Sequence, residues 1–135
     1  MADGEGGARV IDELVATIAA RKRDLPEGSY TTRLLREGVD RIGRKIGEEA
    51  AEVIIAAKNG AAEELAWEVA DLWYHTLVLL AAVDVEPELV WRQLRDRRGA
   101  APRAGGEQLT PIRLDPDKSA TPRAGREGTG GEPQR

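Results

Sequence analysis

The stretch from Ala62 to Val83 is apolar on nearly every side when wound as a helix, and this limits the fold more than any other part of the chain. At about 100° per residue, Leu65, Val69, Leu72, Trp73, Thr76, Leu80 and Val83 form a main apolar arc. Trp67, Ala70, Tyr74, Leu77, Val78 and Ala81 fill the other sides, and only a narrow flank of Glu64, Glu68, Asp71 and His75 is polar. A helix of this kind needs cover all round and belongs in a core. Four or five helices from one short chain supply too little cover, so a bundle completed by homodimerisation is expected, with this helix near the interface.

The remaining periodicity is also helical. One helix is expected from about Val10 to Arg23, with Ile11, Leu14, Val15 and Ile18 on one face, ended by Pro26 and Gly28. A short helix follows Ser29-Tyr30-Thr31 and carries Leu34 and Leu35. A third runs from about Asp40 to Lys58 and stops at Asn59-Gly60, a C-terminal signal. A last one starts near Pro87, whose fixed φ suits a first turn, and ends in the basic segment Arg95 to Arg98. β-Branched and aromatic residues are sparse and Phe is absent, so no strand pattern competes. The expected class is therefore all-α, with four to five helices in residues 1–98. From residue 99 to 135, Gly and Pro take 12 of 37 positions and the aliphatics thin to Leu109, Ile112 and Leu114. Such a segment buries too little apolar surface to offset its ordering entropy, and a disordered tail is expected.

Several function classes drop out. A net charge of −4 gives no basic field for nucleic acid. The absence of cysteine removes disulfides and thiolate metal sites. The first residues lack the basic and apolar regions of a signal peptide. The longest fully apolar run, Leu77 to Val83, is far too short for a bilayer, so a soluble, cytoplasmic protein without a membrane partner is expected.

Two acidic patterns remain, Glu48-Glu49-Ala50-Ala51-Glu52 and Glu68-Val69-Ala70-Asp71. On the third helix, Ile42, Ile46, Ala50, Val53 and Ala57 form an apolar arc; Glu49 falls just inside its edge, and Glu48 and Glu52 lie on the flank. Folding the hairpin at Asn59-Gly60 sets Glu52 level with Glu68, Glu48 with Asp71 and Lys45 with His75. Carboxylates so close oppose one another's ionisation, and a hard divalent cation relieves this because Mg²⁺ prefers oxygen ligands. Either pattern alone reads as a solvated helix face; at matched height beside apolar arcs they point to a site. A di-iron centre would want a Glu-x-x-His motif on each of two helices. The chain has one histidine, which suits magnesium or manganese better. His75 itself reads as a core-edge histidine with a hydrogen-bond partner.

These segments resemble the phosphoribosyl-ATP pyrophosphatase family, all-α MazG-like nucleoside triphosphate pyrophosphohydrolases of histidine biosynthesis. The family's metal motif is matched by Glu48, Glu49, Glu52, Glu68 and Asp71. Its more specific marks are matched by Ser29-Tyr30-Thr31-Thr32-Arg33-Leu34-Leu35, by Gly38 through Glu49, and by Asp71 through Leu80. The resemblance covers about Val10 to Arg98 and corresponds to the stand-alone form.

The resemblance implies Mg²⁺-dependent hydrolysis of phosphoribosyl-ATP to phosphoribosyl-AMP and pyrophosphate. The metal, Mg²⁺ or possible Mn²⁺, would lie on Glu48, Glu49, Glu52, Glu68 and Asp71. Glu49, or else Glu48, would prepare the attacking water, because an edge-of-core carboxylate holds a proton more readily. Lys45, Arg41 and Arg44 would contact phosphate oxygens. Ser29, Tyr30 and Arg33 would contact the second phosphoribosyl group, against helix capping for Ser29 and packing for Tyr30. Two other functions stay open from the residues alone: a house-cleaning nucleotide pyrophosphohydrolase of the same fold, and a non-catalytic helical dimerisation module.

Overall fold

The computed structural model describes residues 5–99. The expected tail lies outside them, apart from Gly99, which ends the last helix. The described residues are all-α: α1 (Glu5–Asp24), α2 (Tyr30–Glu37), α3 (Val39–Asn59), α4 (Ala62–Ala82) and α5 (Pro87–Gly99). Three starts, those of α3, α4 and α5, fall within a residue of the expected ones, and α2 begins at Tyr30, inside the segment it was expected to follow. α1 begins five residues before Val10, through Gly6 and Gly7, which carry no side chain to betray a period.

α3 and α4 form the main antiparallel pair of the bundle. Gly60 makes their turn possible. Its φ of 68° and ψ of 21° are left-handed, and its N–H closes α3 on the carbonyls of Ala56 and Ala57. A side chain there meets the steric penalty of the left-handed region, about 1–2 kcal/mol. Gly60→Ala is therefore expected to lower the unfolding free energy by about that amount in urea titrations; an unchanged midpoint would mean the turn readily adopts another shape.

The apolar core joins Ile18 of α1, Leu34 of α2, Ile42 of α3, and Leu77 and Val78 of α4. Along α3 the buried positions are Ile42, Glu49 and Ala56, spaced by seven. Glu49 thus sits in the middle of the buried stripe, not at its edge. On α4 the buried residues are Glu68, His75, Leu77 and Val78. The acidic flank faces the core, whereas Trp73 of the expected main arc is 56% exposed and Thr76 is exposed. Angular position along a helix says which residues share a side, but not which side meets α3. Here the side holding the carboxylates does.

The displaced arc has a place of its own. Leu72, Trp73, Thr76 and Leu80 line an open apolar groove between α1 and α5, facing Ile11, Val90, Trp91 and Leu94. On the opposite side, Lys22 of α1 donates to the Ala81 carbonyl at 2.6 Å and pairs with Asp84, which ties α1 to the C-terminal end of α4. Between α2 and α3 only Gly38 intervenes, with φ 86° and ψ −171°, a conformation open essentially to glycine. That single residue turns α2 back so that its first turn reaches α4.

Candidate active site and metal centre

α3 and α4 present one carboxylate oxygen each from Glu49, Glu68 and Asp71, all within 4.8 Å of one another. Glu49 is 2% exposed and Glu68 0%, while Asp71 is half-buried and opens the cluster to solvent. Charges this deep are costly unless compensated. Part of the compensation is Lys45, one turn before Glu49, whose Nζ lies 3.2 Å from Glu49 and 3.1 Å from Glu48. Burial works against its ammonium group, but the hydrogen bonds to Glu48 and Glu49 outweigh it and hold Lys45 above the ordinary lysine range.

The donor set suits a hard cation. It is all carboxylate, with no sulfur or nitrogen. Around Mg²⁺ at about 2.1 Å, neighbouring oxygens stand about 3.0 Å apart, so inward movements of about an ångström bring three oxygens onto one ion. Glu48 is exposed and held by Lys45, and Glu52 is half-buried one turn further along α3. The hairpin therefore brings Glu49, Glu68 and Asp71 together at its centre and leaves Glu48 and Glu52 on its flanks.

His75 is not available to a metal. Its Nδ1 donates to the Asp71 carbonyl at 2.7 Å, and its Nε2 lies 3.1 Å from the Tyr30 hydroxyl. The expected phosphate contacts differ in freedom. Arg41 is held near Glu37, its Nε 3.2 Å from the carboxylate but off line for a hydrogen bond. Arg44 is exposed on α3. Ser29 caps α2, its Oγ accepting from the Thr32 N–H at 3.3 Å. Arg33 lays its guanidinium 5.1 Å above the Tyr30 ring, which is itself stacked on Tyr74.

Reading the sequence missed the link between Tyr30 and His75 and the bond between the hydroxyls of Thr31 and Tyr74, 2.6 Å apart. A signal existed for the second. A phenol in a helix as apolar as α4 needs a partner for its hydroxyl, and Thr31 lies on the neighbouring helix start.

The sequence profile of the phosphoribosyl-ATP pyrophosphohydrolase family matches residues 11–98. The chain belongs to this family. A phosphoribosyl-ATP pyrophosphatase of Trichlorobacter lovleyi is 51% identical over 92 residues, covering 68% of this chain and 85% of that protein. One from Methanocella arvoryzae is 50% identical over 93 residues, 67% of this chain and 98% of its own. The histidine biosynthesis bifunctional protein HisIE of Bacillus subtilis is 63% identical over 71 residues, 53% of this chain and 34% of that longer protein. The family match runs from within α1 to Arg98 and so includes the acidic centre and the α2 cluster.

Proposed function

We propose that this protein is the phosphoribosyl-ATP pyrophosphohydrolase of histidine biosynthesis, with the α3–α4 acidic centre as its active site. It hydrolyses phosphoribosyl-ATP at the α–β phosphoanhydride: water adds across the bond, phosphoribosyl-AMP keeps the α phosphate and pyrophosphate leaves. The observation that carries this reading is the gathering of Glu49, Glu68 and Asp71 within a family match that contains all three.

Glu49, Glu68 and Asp71, with Glu48 and Glu52 at their flanks, would hold Mg²⁺ or Mn²⁺. A divalent ion there supplies charge neutralisation for the triphosphate. The chain's own groups do the rest. Glu49, with Glu48 as the alternative, accepts a proton from the attacking water. Lys45 stands beside both, and a short swing of its long side chain carries the ammonium from carboxylate to phosphate oxygen. Arg41 lies one turn before Lys45 and adds a second cation on the same face. Ser29, Tyr30 and Arg33, at the start of α2, would take the second phosphoribosyl group.

The apolar groove between α1, α4 and α5 is the surface on which a second copy would dock, completing the cover that α4 needs. Among the described residues no helix is long and apolar enough to cross a membrane, and a small nucleotide substrate suits the cytoplasm. The deciding assay is pyrophosphate release from phosphoribosyl-ATP with Mg²⁺, which EDTA is expected to stop and fresh Mg²⁺ to restore. Equal or faster turnover of dCTP or dUTP would move the assignment to a house-cleaning pyrophosphohydrolase.

A further inference from the structure

His75 is buried, polar and outside the chemistry above, yet both of its ring nitrogens are engaged. The Asp71 carbonyl can only accept, so Nδ1 carries the hydrogen and Nε2 presents its lone pair. The Tyr30 hydroxyl, 3.1 Å away, therefore donates to Nε2. Tyr30 is the first residue of a short helix and is 39% exposed. Packing alone would leave such a side chain several rotamers. Instead three neighbouring side chains hold it. His75 meets its ring edge-on at 5.9 Å, Tyr74 stacks at 6.2 Å, and Arg33 lies over it at 5.1 Å. Tyr74 is anchored in turn by Thr31. The chain of bonds runs from the Asp71 backbone through the imidazole to the tyrosine and its arginine.

We propose that His75 is a positioning residue for the substrate: by holding the Tyr30 hydroxyl it fixes the Tyr30–Arg33 surface at a set reach from the acidic centre. The proposal rests on the assignment of Tyr30 and Arg33 as substrate contacts. Their chemistry is that of a phosphorylated sugar, an aromatic face for the ring and a planar guanidinium for the phosphate ester. A contact so far from the anhydride helps only if its distance from the reacting phosphates is fixed, because remote binding energy is otherwise spent on ordering the protein. His75, itself buried, supplies that fixed distance from the core side of the bond.

Steady-state kinetics on phosphoribosyl-ATP with saturating Mg²⁺ tests this. Tyr30→Phe, which removes one oxygen and keeps the ring, is expected to raise KM about tenfold with kcat within about twofold. His75→Phe should match it, and the double variant should be no worse than either, since both remove the same bond. His75→Gln, which returns an acceptor near the Nε2 position, should recover most of the loss. Arg33→Gln separates the proposal from the assignment beneath it. If Arg33→Gln raises KM and the other two do not, His75 has no positioning role. If Arg33→Gln leaves KM unchanged, the surface does not touch substrate and the proposal falls with it. A fall in kcat at constant KM, or additive losses in the double variant, would also overturn it. Should His75→Phe lose its helical circular dichroism, Tyr30→Phe decides the question alone.

Discussion

Glu68→Gln is expected to abolish pyrophosphate release while raising the melting temperature of the metal-free protein. Glu68 is fully buried and shares a 4.8 Å triangle with Glu49 and Asp71. Its amide isostere fills the same volume, so packing is kept. What changes is charge. One buried negative centre disappears from beside two others, and the neutral amide can donate to a neighbouring carboxylate. Relief of about 1 kcal/mol shifts the melting point of a domain this size upward by about 4 °C or more. The same change takes an anionic oxygen from the cation and with it several kcal/mol of charge stabilisation in the transition state. Turnover should fall by about a thousandfold or more. Adding Mg²⁺ reverses the order of stability, because the ion binds only the folded wild-type site tightly. Scanning calorimetry in EDTA and in Mg²⁺, beside the activity assay, checks all three. Near-normal turnover would remove the triangle as the metal site, and a lower melting point in EDTA would mean that the folded protein already balances the Glu68 charge. Asp71→Asn, at the half-buried corner, should lose activity similarly with a smaller gain in stability.

Trp73→Asp combined with Leu80→Asp is expected to convert the proposed dimer into a poorly folded monomer. Trp73 is more than half exposed in the single chain, and Leu80 lines the same groove with Leu72, Trp91 and Leu94. Two carboxylates on that floor would each need desolvation for a second copy to dock, at several kcal/mol apiece. Sedimentation equilibrium should give twice the chain mass for the wild type and the chain mass for the variant. Its melting temperature should fall by about 10 °C or more, since the stability of the proposed dimer would include its association. A wild type that sediments as a monomer, or a variant that stays dimeric, would take the second copy off this groove.

The helices were legible because several of their boundaries are chemically marked. Pro26, Gly28, Asn59-Gly60 and Pro87 each change the backbone rules at one place. The acidic centre was legible because antiparallel pairing about a short turn makes height simple arithmetic. Its rotation was not. Glu49 is the middle of the α3 stripe and Glu68 the buried side of α4, whereas hydrophobicity assigned the core side of α4 to Trp73 and Val83. An apolar arc can face the chain's own core or a second molecule, and a helical wheel treats these alike. The Tyr30–His75 bond was out of reach for a related reason. It spans α2 and α4, and its existence depends on the sharp joint at Gly38, whose angle no local pattern encodes.

The ammonium group of Lys45 between Glu48 and Glu49 has a consequence for the order of events in the life of the chain. A protein whose buried acids are balanced only by a bound ion must find that ion before it can close. Here the third helix brings its own counter-charge, one turn away along the same backbone, and local geometry delivers it as soon as the helix forms. The apoprotein can therefore mature first and be loaded afterwards. On the proposed reading the cation is loaded onto a site that is already closed, and adds stability to a fold that did not wait for it.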